Sequence, residues 1–265
     1  MLKSFKYFRN SKPTTAPPLW LASLELGRCA TEALSMSVYR SRLLEAVKGD
    51  GHPVVVFPGL FASDRSTGPL RRLLNDAGFQ SYGWGHGTNL GPSRAEDLDD
   101  DITELIKSVY LENGKQPVSL IGWSLGGLYA RLAAHLMPEK INQVITLGSP
   151  INGSPQLTNA WRLYELVSDM DIDANDNEEK LALIAKALPV PSTSIYSKSD
   201  SIVAWQISRA ASGPNQQNIH VPASHIGMAF SPLVVQVVLD RLQTPVDAWK
   251  AFEPETRFER FVYAV

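Results

Sequence analysis

The segment Gly122-Trp123-Ser124-Leu125-Gly126 holds the residue types and spacing with the most chemistry in them. It is a G-x-S-x-G pentapeptide, with Val118 to Ile121 before it as a short apolar run and Leu125 to Met137 after it at helical spacing, closed by Pro138. A strand, a tight turn and a helix in that order lift a serine hydroxyl above a sheet. They also turn the positive end of the helix dipole toward any negative charge that develops there. Glycines at 122 and 126 keep side chains out of a turn too crowded to hold them. A plain capping serine in such a turn is the bland reading; strand, elbow and helix occurring together favour a nucleophile.

A serine hydroxyl attacks well only when a base removes its proton, so a histidine must be found. His52 and His86 precede the serine, the wrong order for this arrangement, and His135 lies within the helix behind the elbow. His220 falls in an expected strand over 218–221, where its ring would enter the sheet packing. His225 sits in the loop Pro222-Ala223-Ser224-His225-Ile226-Gly227 that follows and is the preferred base. The acid belongs after the preceding strand, at 193–196, which selects Asp200 in Ser197-Lys198-Ser199-Asp200-Ser201. Its carboxylate would hold the His225 tautomer and stabilise the imidazolium. A helix-capping role is the alternative for Asp200, and Asp169, Asp171 and Asp173 read as solvated surface charges.

A tetrahedral intermediate needs two N–H donors. Leu125, directly after the serine, is expected to give one, and Leu60 the other, from the loop Phe57-Pro58-Gly59-Leu60-Phe61 after the first core strand. The Phe61 amide is the alternative to Leu60. Phe61, Trp123 and Trp161 are candidate walls of a substrate pocket.

The elements that must position these residues follow from residue 53 onward. Short apolar runs alternate with helical patterns, which implies a mostly parallel sheet flanked by helices, an α/β fold. Strands are expected at 54–57, 81–84, 118–121, 144–147, 193–196 and 218–221. Helices are expected at 67–77, from a Ser93/Glu96 capping box to about 112, at 125–137, near 202–211 and at 232–242. Residues 151–190 break the alternation with two helical patterns, around 157–167 and 178–187, and read as a small helical cap over the active face. The chain thus divides into a helical extension over 1–50, packed on the domain, and one domain over 51–265. Apolar residues at 21, 24, 34, 43, 44 and 47 predict that the extension is a helix packed on the sheet. The alternative is a surface helix touching lipid, helped by Lys3, Lys6, Arg9 and Lys12. The aromatic tail (Trp249, Phe252, Phe258, Phe261, Tyr263) is expected to pack back on the domain.

With 265 residues, 44% of them hydrophobic, the chain can bury one large core. A formal net charge of -2 argues against nucleic acid as the main partner. The single cysteine, Cys29, excludes an intramolecular disulfide. The basic start resembles the front of a signal peptide. However, Pro17, Pro18, Glu25 and Arg28 interrupt any apolar run, and Arg28 spoils the lipoprotein-like Leu26-Gly27-Arg28-Cys29. No stretch is apolar enough for a transmembrane segment, and a cytoplasmic location is expected. Gly83, Gly85, Gly87 and Gly91 lack dinucleotide-loop spacing, and no Cys/His cluster offers metal ligands, so neither a cofactor nor a metal is expected. The acids at 97 and 99–101 suit the first turns of a helix better than calcium.

With these residues in place, the chain resembles the α/β-hydrolase superfamily over roughly 50–243, and within it bacterial lipase- or esterase-like members. The resemblance rests on 54–60, Tyr82-Gly83-Trp84-Gly85-His86-Gly87, 122–127, Thr146-Leu147-Gly148-Ser149-Pro150, 199–205 and 224–227. Pro58 departs from the common His-Gly oxyanion loop. The resemblance implies a triad of Ser124, Asp200 and His225 and no cofactor, while the apolar residues of the expected cap (Trp161, Leu163, Leu166) suggest an ester substrate with a hydrophobic part. A transferase using the same acyl-serine, and a silent binding protein that keeps the fold, are the alternatives.

Overall fold

The computed structural model describes residues 16–91, 98–152, 158–159 and 174–264. Six parallel strands form one sheet in the order β2-β1-β3-β4-β5-β6: β1 Pro53–Phe57, β2 Gln80–Tyr82, β3 Val118–Trp123, β4 Ile141–Leu147, β5 Ser192–Tyr196 and β6 Gln216–His220. Every residue of β1, and every residue of β3, is buried. Strands covered on both faces need such unbroken apolar runs. The chain passes from β1 to β2 on one side, then crosses back to place β3 on the other side of β1. The order in which successive strands are added reverses between β1 and β3, and ligands of open parallel sheets bind in the crevice at the carboxyl ends of such a pair. Ser124 follows β3 there, beside the loop that follows β1.

The helices are α1 Leu19–Glu45, α2 Asp64–Asp76, α3 Leu98–Glu112, α4 Gly126–Leu136, α5 Ala174–Ala185, α6 Pro232–Gln243 and α7 Arg257–Val262. α2 starts at a Ser63/Ser66 capping box. The Ser93/Glu96 box expected for α3 lies outside the described residues, as do Trp161 and, apart from residues 158–159, the cap helix expected around 157–167. α5 occupies the second expected cap helix.

Two expectations need correction. Residues 202–211 form no α-helix: only a 3₁₀ turn at Trp205–Ser208 is present. The extension is helical, but α1 lies on α6 and the turn Ile226–Ala229 rather than across the sheet. Leu24 and Leu34, expected to be buried, are 51% and 69% exposed, while Glu25 is 3% exposed. The inward row of α1 is polar, Glu25, Arg28 and Glu32, and these are the only charges between Leu19 and Tyr39. Apolar periodicity therefore picks the wrong face over the first half of this helix, whereas Leu43 and Leu44 pack against the core as expected and Val47, just beyond it, is buried. In the tail, Phe252 and Tyr263 are buried against the core, whereas Phe258 and Phe261 remain exposed. Among the described residues, no helix is long and apolar enough to cross a membrane.

Candidate active site

Ser124 stands at the turn between β3 and α4 with φ +53°, a left-handed conformation that costs a side-chain-bearing residue about 1–2 kcal/mol. Its N–H donates to the Leu147 carbonyl at 2.8 Å, tying the turn to the end of β4. The flanking glycines are required by contact. A Cβ at Gly122 would lie 2.3 Å from Gly127 Cα, and one at Gly126 would lie 2.4 Å from the Phe57 carbonyl oxygen. The turn thus fits only because two close approaches lack side chains.

Asp200 and His225 come together from the ends of β5 and β6. His225 Nδ1 lies 2.7 Å from Asp200 Oδ2, and both residues are 3% exposed. Asp200 Oδ1 accepts from the Ile202 N–H at 2.8 Å and the Val203 N–H at 2.7 Å. One carboxylate oxygen thus caps the turn and so fixes the direction of the other, which faces the His225 ring. Burial presses the His225 ring toward neutrality. The Asp200 carboxylate, by charge and hydrogen bond, and the Glu25 carboxylate outweigh it, and the imidazole is held above its ordinary pKa. Gly148, with φ +56°, passes so near that a Cβ would lie 3.1 Å from Asp200 Oδ2 and 3.2 Å from His225 Nδ1. Gly148 belongs to the Thr-Leu-Gly-Ser-Pro stretch, whose glycine makes room for the Asp–His pair.

The serine and the histidine are linked through backbone. Trp123 Nε1 donates to the His225 carbonyl at 3.1 Å, so the residue before Ser124 holds the histidine loop. The Trp123 ring is packed into the main apolar cluster. Among the described residues no hydrogen bond joins Ser124 Oγ to the imidazole. Such bonds are often long without substrate and tighten when it binds.

The loop after β1 faces the serine: a Cβ at Gly59 would lie 3.2 Å from Ser124 Cβ. The Phe61 N–H donates to the Asn89 carbonyl at 2.7 Å. That bond withdraws Phe61 as an oxyanion donor and leaves Leu60 as the candidate of the pair. Leu125 sits at the N-cap of α4, ahead of its first helical residue. Phe61 itself, with φ +59°, exposes 39% of its surface, next to Leu90 at 42%.

Asn89 was not among the candidates from sequence, yet it staples this loop. Buried at 1% exposure, it donates from Nδ2 to the Pro58 carbonyl at 2.9 Å. Its Oδ1 accepts from the Gly91 N–H and the Tyr129 hydroxyl, both at 3.0 Å. An asparagine in a glycine-rich loop carries no signal that it reaches a different loop. Asn89→Ala is expected to lower kcat about 10- to 100-fold, with a smaller change in KM, because the Leu60 amide loses its aim. Steady-state kinetics on any accepted ester checks this; a change confined to KM would count against it.

A second Asp–His–Ser set occurs at the opposite end of the sheet. His52 Nδ1 lies 2.6 Å from Asp50 Oδ1, and its Nε2 lies 2.9 Å from Ser119 Oγ. Ser119 is fully buried and its oxygen also accepts from Asn142 Nδ2 at 3.1 Å, so this set joins the starts of β1, β3 and β4 and presents no nucleophile.

The sequence model of a family described as PGAP1-like alpha/beta domain matches residues 85–226, a span that includes Ser124, Asp200 and His225. The chain is 39% identical over 67 residues to the pimeloyl-[acyl-carrier protein] methyl ester esterase of Aliivibrio fischeri, covering 25% of this chain and 23% of that protein. It is 31% identical over 112 residues to the serine hydrolase BPHL of Homo sapiens, covering 38% and 37%. The matched part is less than two fifths of the length of these relatives. Among solved structures, that of the metagenome-derived lipolytic enzymes LipS and LipT superposes with TM-score 0.56 at 17% identity, covering 74% of this chain and 95% of that one. The monoacylglycerol lipase of Paleococcus ferrophilus superposes with TM-score 0.52 at 20% identity, covering 73% and 96%. The fold is the α/β-hydrolase fold.

Proposed function

Given that this chain belongs to the family of PGAP1-like alpha/beta domains, we propose that it hydrolyses carboxylic esters through an acyl-Ser124 intermediate. The observation that carries the reading is the buried 2.7 Å contact between His225 and Asp200, set beside a serine held at positive φ at the sheet's switch point. In the first step His225 Nε2 takes the Ser124 proton as Oγ attacks the ester carbonyl carbon. Asp200 accepts from Nδ1–H throughout and stabilises the imidazolium. The Leu60 and Leu125 amides donate to the oxyanion. Collapse of the intermediate breaks the bond to the alkoxy oxygen, which leaves with the proton from His225. Water, deprotonated by His225, then attacks the acyl carbon, and Ser124 recovers its proton. Every proton is carried by the one imidazole.

The exposed Phe61 and Leu90, on the loop after β1 and the segment hydrogen-bonded to it, favour a substrate with an apolar acyl or alcohol part. The esterase and lipase names among the similar proteins support the same substrate class. A panel of p-nitrophenyl esters from short to long acyl chains tests the reading. Turnover is expected, with a preference among chain lengths; absence of turnover across the whole panel with folded protein would sink it. Formation of a new ester when a competing alcohol is added would move the reading to acyl transfer.

A further inference from the structure

α1 lies outside the segment matched by the family, yet it touches both loops that carry the base and the acid. Glu25 Oε1 accepts from the Ile226 N–H at 2.7 Å, one residue after His225. Its Oε2 accepts from the Ser201 hydroxyl at 2.7 Å, one residue after Asp200. One turn on, Arg28 donates to the Ser199 carbonyl at 2.6 Å and to Ser199 Oγ at 2.8 Å. One further turn on, Glu32 accepts from the Ser224 N–H at 2.7 Å and the Ser224 hydroxyl at 2.5 Å. Residues 25, 28 and 32 lie along one helix face by their i, i+3, i+7 spacing. The residues they hold, 199, 201, 224 and 226, bracket Asp200 and His225 on both sides.

From this geometry we infer that Glu25 is a positioning residue, whose carboxylate clamps the acid loop to the histidine loop and thereby sets the pose of the His225 ring. Arg28 and Glu32 extend the clamp to the outer side of each loop. The inference rests on Ser124, Asp200 and His225 acting as proposed above, and it makes α1 part of the catalytic apparatus rather than an appendage.

Three observations agree with it. Glu25 is 3% exposed on a helix whose other polar residues are half-buried or exposed, and a carboxylate is buried at such cost only when its partners satisfy it. Gly227 leaves room for the Glu32 carboxylate: a Cβ there would lie 1.5 Å from Glu32 Oε2, so a side chain at 227 would push that carboxylate from its present seat on Ser224. The Glu25 charge also adds to that of Asp200 in favouring the protonated ring of His225. Among the described residues, the charged groups bonded to the histidine loop are Asp200 from the acid loop and Glu25 and Glu32 from α1, while Arg28 bonds the acid loop and Cys29 lies near Glu25 and Glu32. Of the three α1 charges, Glu25 alone bonds to both loops.

The test compares Glu25→Gln with Glu25→Ala in the full chain. A glutamine keeps an oxygen for the Ile226 amide and an NH₂ for Ser201, but removes the charge. Alanine removes the clamp. Two readouts are needed: the rate of Ser124 labelling by a fluorophosphonate as a function of pH, and the titration of the His225 ring followed by NMR of protein labelled with ¹⁵N-histidine. E25A is expected to lower the plateau labelling rate about 10- to 100-fold, the scale of a base displaced by about 1 Å. E25Q is expected to lose less than E25A at the plateau and to move both the acid limb and the NMR midpoint to lower pH. The sign follows from removing an anion that favours the charged imidazole. Superposable titrations in wild type and E25Q, together with a wild-type labelling rate in folded E25A, would overturn the inference. Should E25A not fold, as thermal unfolding would show, E25Q decides it by the two titrations. Failure of the hydrolase reading looks different: wild type is then not labelled at all, while the NMR midpoint still reports whether Glu25 acts on His225.

Discussion

Ser124→Ala is expected to abolish covalent labelling by a fluorophosphonate and to lower ester turnover about a millionfold, the scale on which an activated serine nucleophile acts. The reasoning starts from the backbone. At φ +53° Ser124 stays strained, because Gly122 and Gly126 admit the turn, the Leu147 carbonyl anchors its amide, and the helix behind it is buried. That strain is retained when alanine replaces serine, since both carry a Cβ, so the variant keeps its fold and loses only the oxygen. Thermal unfolding is expected to be unchanged, which separates chemical loss from collapse. What residual turnover remains reflects water attacking a carbonyl bound by the oxyanion donors. Labelling that persists in the variant, or mass-spectrometric mapping of the probe to another serine, would remove Ser124 from its assigned role. Ser119 is the instructive control: it also lies beside a histidine, but it is fully buried and is expected to stay unlabelled.

The same contrast explains what could be read in the sequence. The elbow was legible because its demands are local: strand, two glycines and helix are adjacent in the chain, and each has its own periodicity or steric signature. Asp200 and His225 were legible one step less directly, since the alternation of strands fixes which loops reach the carboxyl end of the sheet. All six strands were expected within a few residues of where they lie, whereas the helix expected over 202–211 shrinks to a single turn. There the Asp200 carboxylate takes the first two free amides and the chain is drawn to α1 by Arg28 and Glu25 instead of coiling. Asn89, Glu25, Arg28 and Glu32 left no readable trace because each acts on a partner far away in sequence. The histidine loop lies 201 residues beyond Glu25 in the Glu25–Ile226 bond, and no local rule couples them. The inverted face of α1 has a signal only in hindsight. Between Leu19 and Tyr39 its three charges fall on one row while leucine, tryptophan and valine stay exposed, the reverse of an ordinary surface helix.

Asp200→Asn carries the second large effect and probes the arrangement from the opposite side. The amide oxygen can occupy the Oδ1 position and keep both the Ile202 and Val203 bonds, so the loop geometry is expected to survive. The NH₂ then faces His225 Nδ1, and two donors cannot share one bond. Nδ1 must become the acceptor and the ring proton moves to Nε2, the nitrogen that has to receive the Ser124 proton. A fall of about 10⁴-fold in kcat is expected, the magnitude associated with a histidine held in the wrong tautomer, with little change in thermal stability. The pH profile sharpens the point. In the wild type, Asp200 and Glu25 hold the imidazole above its ordinary range, so activity is expected to fade as pH drops through that raised value, where the base becomes protonated. With Asp200 neutral, the protonated ring loses its main support and the acid limb is expected to shift to lower pH while the plateau collapses. A loss smaller than tenfold, or a limb that does not move, would mean that another carboxylate orients His225.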